Sequence, residues 1–220
     1  MGGIIMKKIM FNDKFRLTQA VLEGRKTMTR RIIKCPRTFR GEWVAGFNIH
    51  RSPSDKKIVG FPCMYDADER EFDMGEILPK YKLGEVVAIA QSYRDSGYSP
   101  DSLDRHPKDL SVRGLMKDSA GWNNKMFVKS YACRHHIKIV NVKIERLQDI
   151  SDEDCLKEGV IHAYTDNNGI KIYHTPHTKR GYLSTDVAQQ AFSFLIDKVS
   201  GKGTWESNPF VFAYEFVLVD

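Results

Sequence analysis

Long apolar runs are missing from this chain of 220 residues. None approaches the roughly 18 to 20 residues that a membrane span needs, so no membrane partner is expected. The opening stretch, Met1 to Phe11, mixes apolar and basic residues. It lacks the long apolar core and small-residue cleavage site of a secretory leader. Cysteine is scarce: Cys35, Cys63, Cys133 and Cys155 lie far apart, with no C-x-x-C pair. That spacing points to free thiols in a reducing compartment, and so to a cytoplasmic protein. A zinc signature is missing too, since zinc ligands come in pairs two to four residues apart. Cys133 and His135 share a strand phase, and His174 and His177 share a loop with a proline, but neither pair completes a site. Neither a metal nor a cofactor is expected. Internal repeats and low-complexity tracts are also lacking.

Acidic residues are nearly absent from the first forty positions. Eleven Lys and Arg stand there against only Asp13 and Glu23, a local charge of +9 in a chain whose total is +6. The remaining residues are therefore slightly acidic. Such asymmetry predicts a localised positive face suited to a polyanion or a phosphate-bearing ligand. With 41% hydrophobic and 28% charged residues, the chain has the balance of a globular fold. It is long enough to bury a core without disulfide staples. One domain over residues 1–220 is expected, with insertions at about 36–80 and 94–125.

Local signals order the rest. Ile4 to Phe11 reads as a first strand, and Asn12 or Asp13 can cap a helix over Lys14 to Glu23 with Phe15, Leu17, Thr18, Val21 and Leu22 inward. Gly24 sits where a left-handed glycine ends a helix, and a strand over 25–33 follows until Cys35-Pro36. In the first insertion, Trp43 to His50 and Ile58 to Met64 are strand candidates, and the acidic run Asp66 to Asp73 reads as a solvated loop. Val86 to Ala90 is an apolar strand. In the strand Arg134 to Glu145 the apolar residues change phase, from Ile137 and Ile139 to Val140, Val142 and Ile144. That change implies a bulge, or burial on both faces as in a small barrel. Ser151 to Asp154 reads as a capping box opening a helix that ends at Glu158-Gly159. Asn168-Gly169 marks a hairpin. Ser184 or Thr185 caps a helix whose Val187, Ala188, Ala191, Phe192, Leu195, Ile196 and Val199 form one buried stripe. Phe210 to Val219 closes the chain as a strand. The elements do not alternate as a doubly wound sheet requires. An α+β fold is expected, a mixed β-barrel with peripheral helices.

The stretch Gly24-Arg25-Lys26-Thr27-Met28-Thr29-Arg30-Arg31 concentrates four cations and two hydroxyls after a helix end. Arginine grips phosphate with a planar fork, lysine adds a movable charge, and threonine can bond phosphate or act as a nucleophile beside a base. An ordinary basic edge strand would look the same. Lys26 and Thr29 are three residues apart, which on a regular strand aims them at opposite faces. They can serve one site only if the chain turns at Lys26. Lys129 and Arg134 flank a strand entrance and can touch phosphate. Trp43, Trp122 and Trp205 can stack on a base, although Trp205 before Asn208-Pro209 reads better as a structural plug. Tyr93, just after a strand, is the better cleft aromatic.

Gly24-Arg25-Lys26-Thr27-x-Thr29 after a capped helix resembles the signature of the ASCH domain, a small barrel related to the PUA RNA-binding fold. Three further stretches resemble the family in order. These are Tyr81-Lys82-Leu83-Gly84-Glu85, then Arg146 to Asp154 with Glu158-Gly159, and then Trp205-x-x-Asn208-Pro209-x-Val211 through Glu215-Phe216. The last two are most similar to phage-type members. The chain departs from them at Ala88-Ile89-Ala90-Gln91, where many carry a charged Arg-Glu pair. The resemblance implies a PUA-like mixed β-barrel that binds RNA or a modified nucleoside or nucleotide in a basic cleft, with Arg25, Arg30, Arg31, Tyr93 and Arg134 as contacts. One bacterial group of the family hydrolyses N4-acetylcytidine, and by motif position its lysine, threonine and glutamate fall on Lys26, Thr29 and Glu158. Two alternatives stay open. One is a metal-independent amidohydrolase, acting on the non-peptide amide of an N4-acylated cytidine; the other is a phage-derived accessory protein without catalytic activity.

Overall fold

Asn12 starts the first helical turn because its side-chain oxygen accepts the Lys14 amide. In the computed structural model, which describes residues 6–97, 123–176 and 183–219, that turn is a short 3-10 segment, Asp13–Phe15. Arg16 then takes a left-handed conformation with φ 52°, so the helix proper, α1 (Leu17–Leu22), starts later than the sequence predicts. Its apolar side, Leu17, Ala20 and Val21, is buried.

The strands are β1 (Lys8–Ile9), β2 (Met28–Ile32), β3 (Thr38–Phe39), β4 (Glu42–Trp43), β5 (Gly46–Asn48), β6 (Cys63–Tyr65) and β7 (Glu71–Glu76). After them come β8 (Val86–Ile89), β9 (His136–Arg146), β10 (Ile161–Thr165), β11 (Lys171–His174), β12 (Ser184–Thr185) and β13 (Phe210–Leu218). The remaining helices are α2 (Tyr93–Ser96), α3 (Asp152–Lys157), α4 (Ala188–Ser200) and α5 (Thr204–Ser207). The principal sheet has the order β1-β8-β9-β13-β2, with only the β1–β8 pair parallel. The architecture is α+β and rich in strand.

The phase change in β9 is a bulge. Asn141 pairs with Glu215 and Ile139 with Phe216, so Val140 is an extra residue on β9. Its side chain is exposed. The insertion carries Ile137, Ile139, Val142 and Ile144 onto one face, opposite Phe212, Tyr214 and Phe216, where they build the main core with Leu17 and Val21 of α1. Lys143 and Glu145 are turned to the other face. A second core forms where Ala188, Ala191, Phe192 and Ile196 of α4 meet Leu147, Ile150, Cys155 and Val211. Here α4 begins one residue after Val187, which is half exposed, and no side chain caps it. Ser184 and Thr185 pair with β11 instead, and Thr185 reaches the helix by accepting the Val187 amide.

The structure differs from the sequence pattern at the sheet edges and within the first insertion. No sheet among the described residues closes into a barrel: β1 and β2 are the two edges of the principal sheet. Among the described residues β1 pairs with β8 alone, through Lys8 and Ile9. The edges are bridged by a side chain, with Arg31 Nη2 donating to the Met10 carbonyl at 2.6 Å. Segment 36–80 builds a β3–β4 ladder and a β5-β6-β7 sheet apart from the principal one. The last three residues of its acidic run, from Glu71 to Asp73, are strand, because Asp66 closes a turn by accepting the Asp68 and Arg70 amides and returns the chain into β7. The second insertion opens with α2, capped by Ser92. Its greater part, with Pro100, Pro107 and Trp122, lies outside the described residues, as does His177. No helix among the described residues is long and apolar enough to cross a membrane.

If the bulge sets the core phase, deleting Val140 will turn either Ile137 and Ile139 or Val142 and Ile144 outward. Urea unfolding should then show a loss of about 3 kcal/mol or more, whereas Val140→Ala stays within about 0.5 kcal/mol. A deletion variant as stable as the parent would disprove this role.

Candidate functional site

Lys26 is placed by three backbone anchors. Gly24, at φ +72°, ends α1 with its amide on the Val21 carbonyl, and the Lys26 amide returns to the Ala20 carbonyl. Thr27 then donates to the Lys157 carbonyl at the end of α3 and accepts the Phe216 amide of β13. The chain therefore turns at Lys26 before entering β2, and the strand alternation that would separate Lys26 from Thr29 does not apply. At the other end of the site, Gly159 has φ +107°. A Cβ there would lie 3.2 Å from Leu17 Cδ2 and 3.7 Å from Lys26 Cδ, so a glycine lets the end of α3 close over the lysine.

The Lys26 ammonium is 2% exposed and uses all three of its protons. It donates to Glu158 Oε2 at 2.6 Å, and to the carbonyls of Glu158 and Met28 at 2.7 Å each. Glu158 Oε1 turns to Arg30 Nη1 at 3.2 Å. Arg30, buried on the opposite face of β2 from Thr29 and Arg31, also donates to Glu145 at 2.7 Å and to Asp154 at 2.8 Å. Lys143 closes the network at 2.9 Å from Asp154 and 3.0 Å from Glu145. Three cations and three carboxylates thus cancel. Such balance is what keeps buried charge tolerable, because each ion alone would cost several kcal/mol of lost hydration. Burial pushes the Lys26 pKa below its usual 10.5, with Glu158 restoring part of the loss. Burial would lower Arg30 too, but the charges of Glu158 and Glu145 hold it above its ordinary value. For Asp154 burial acts upward, and hydrogen bonds from Lys143 and Arg30 outweigh it, leaving the carboxyl below 3.8.

This network borders a cavity of about 990 Å³ between the β1 and β2 edges, the 77–81 segment and one face of α4. Lys26, Thr29, Arg30, Arg31 and Glu158 all line it. Thr29 sits opposite Tyr214 and Arg31 opposite Phe212, so both point to the core face of the sheet. No hydrogen bond engages the Thr29 hydroxyl among the described residues, whereas the hydroxyl of Tyr81 is committed to the Lys8 carbonyl. A second cavity of about 460 Å³ lies between β9 and residues 51–61; it includes Lys143 and Glu145 but none of Lys26, Thr29 and Glu158.

Of the residues expected at a site, Lys26, Thr29, Glu158, Arg30 and Arg31 come together. Arg25 does not: it is exposed and ion-paired with Glu23. Tyr93 is buried in a satellite core with Ala88, Val128, Ala132 and Cys133, because the cap at Ser92 turns α2 inward. Arg134 lies at the same end, donating to the Gln91 side chain and the Ser96 carbonyl. Neither lines the cavity. Trp205 packs edge-on against Phe192 as a structural plug, and Trp43 is exposed on β4. Sequence reasoning missed Glu145 and Lys143 as members of the cluster, although both stand on the polar phase of β9. It read Asp154 only as a cap residue, and missed Tyr81, Tyr214 and α4 as walls. Fold and site together define a strand-rich α+β protein with a neutral acid–base cluster at the wall of a cationic cavity. No protein-family model, curated protein or solved structure matches the chain.

Two outcomes follow from the cluster. Glu158→Gln strips Lys26 of its carboxylate and should cost on the order of 3 kcal/mol in chemical denaturation, while Arg25→Ala leaves the unfolding midpoint unmoved. Asp154, with a folded pKa below 3.8, contributes stability that is complete above that value and disappears as pH falls through the lower folded one. Asp154→Asn should therefore flatten the loss of stability below pH 3.8, measured by acid titration of the unfolding free energy.

Proposed function

We propose that the chain is an ASCH-type, PUA-like protein that takes a nucleoside or nucleotide, free or presented by single-stranded RNA, into the cavity between β1 and β2. The observation that carries this reading is the convergence of Lys26, Thr29, Arg31 and Glu158 on one cavity of about 990 Å³. That volume is at the upper end for small-molecule sites and suits one base with its sugar rather than a duplex. Apolar side chains of α4 and the Tyr81 and Tyr214 rings offer surfaces for a base, and the cationic lining suits a phosphodiester. The ordered motif resemblance points to the same class. RNA held through phosphates should bind more weakly as salt rises, with a log–log slope near −0.7 per phosphate contacted on a single strand. Binding indifferent to salt would argue against phosphate contacts, and a protein that binds neither nucleosides nor RNA would leave the accessory role as the surviving alternative.

A second reading, deacylation of an N4-acylated cytidine, is favoured by the unengaged Thr29 hydroxyl on the same cavity as the buried Lys26–Glu158 pair. In that reaction the base is the fraction of Lys26 that has lost a proton from the ammonium form: Thr29 Oγ adds to the acyl carbonyl carbon while its proton passes to that amine. The C–N bond breaks, the cytosine nitrogen takes the proton from Lys26, and water cleaves the threonyl ester to release the acid. Glu158 holds the lysine in place. Because the active form of Lys26 is unprotonated and burial lowers its pKa, the rate should rise with pH at values below 10.5. Acetate release from N4-acetylcytidine should fall by about a thousandfold or more in Thr29→Val, a change that keeps shape and removes no hydrogen bond. An unchanged rate in that variant would exclude the threonine as nucleophile.

A further inference from the structure

We propose that the preferred ligand of this cavity is a phosphorylated nucleotide rather than a bare nucleoside, and that the Arg31 guanidinium is the group that receives its phosphate. The inference rests on the nucleoside-binding reading and narrows it to a substrate class.

Seven side chains lining the cavity are cationic, and among the described residues only one, Glu158, is acidic. Not all of that charge is available. Lys26 and Arg30 are neutralised within the buried cluster by Glu158, Glu145 and Asp154. Lys7 is paired with Glu85, and the Lys8 ammonium is held by the carbonyls of Met126 and Val128. Arg31 is different. It makes no ion pair among the described residues, and its one hydrogen bond is to the neutral Met10 carbonyl. Its Nε is buried without a protein hydrogen-bond partner, singular in this respect among buried side-chain nitrogens and oxygens of the described residues. Unlike a lysine, a guanidinium cannot shed its proton to escape this situation.

The position of Arg31 fits the role. It stands opposite Phe212 on β13, on the core side of β2 with Thr29. Its positive charge acts on Lys26, Tyr81 and Tyr214, three residues spread around the same cavity wall. An anion placed against Arg31 would thus lie within the cavity, near the acid–base cluster and the aromatic walls. The guanidinium fork accepts phosphate oxygens two at a time, which lets it satisfy the orphaned Nε and orient the ligand together. Lys34 and Lys80 supply further positive charge to the lining. A neutral nucleoside would leave that charge uncompensated.

The test is calorimetric titration with the four common nucleosides and N4-acetylcytidine, each paired with its 5′- and 3′-monophosphate, and with inorganic phosphate. At least one monophosphate should bind about tenfold or more tightly than its nucleoside, the gain of a charge-assisted pair. Arg31→Gln should shrink that ratio to under about threefold, and Arg31→Lys, which keeps charge without the fork, should restore part of it. Nucleosides binding as well as their monophosphates in the parent protein would overturn the inference and leave the nucleoside-binding reading standing. Inorganic phosphate bound in an Arg31-dependent manner with no nucleoside bound in any form would do the reverse, supporting an anion site and sinking the nucleoside reading. No binding of any of these probes would overturn both.

Discussion

The ion pair between Lys26 and Glu158 organises this molecule because neither charge has access to water. A buried ammonium needs three acceptors and a compensating charge, and the Glu158 side chain with two backbone carbonyls supplies both. Satisfying that requirement ties together elements far apart in sequence. The end of α1, the entry to β2 and the end of α3 must meet within hydrogen-bond distance, and Arg30 then recruits Glu145 of β9 and Asp154 of α3 into the same neutral cluster. Removing one member leaves its partners charged and dry, which is why such clusters specify a geometry more strongly than they add net stability.

The cavity follows from how the sheet ends. β1 and β2 are edges that do not pair with each other, and the space between them is walled by α4 and the 77–81 segment. The bulge at Val140 matters here as well as in the core. By shifting the phase of β9 it sends Val142 and Ile144 under β13 and leaves Lys143 and Glu145 on the face where Arg30 needs them. One extra residue thereby serves packing and electrostatics together, since the two faces of a strand cannot be assigned independently.

Much of this was legible in the chain. The cap at Asn12, the left-handed Gly24, the Ser151 cap of a helix ending before Gly159, the Asn168-Gly169 hairpin and the apolar stripe of α4 are local features. Their physics is decided within a few residues, and the structure has them close to where the pattern placed them. The phase change in β9 pointed to a bulge or to burial on both faces, and pairing with β13 shows the bulge. The misplaced features depended on distant partners. Tyr93 was expected in a cleft because it follows a strand, but Ala88, Val128 and Ala132 make a pocket for it that no local pattern reveals. Likewise, Arg25 and Arg30 are alike on paper, yet one is a solvated partner of Glu23 and the other is the centre of a buried network.

By itself the sequence determined the concentration of positive charge in its first forty residues, the mixture of helical and strand periods, and the glycine that ends the first helix at position 24. Only the tertiary structure decided which of those cations are spent and which remain available. That choice depends on the carboxylates of β9 and α3, more than a hundred residues away, and on a glycine that lets α3 approach. Charge is a property of a residue, but its compensation is a property of neighbours, and neighbours are assigned by folding.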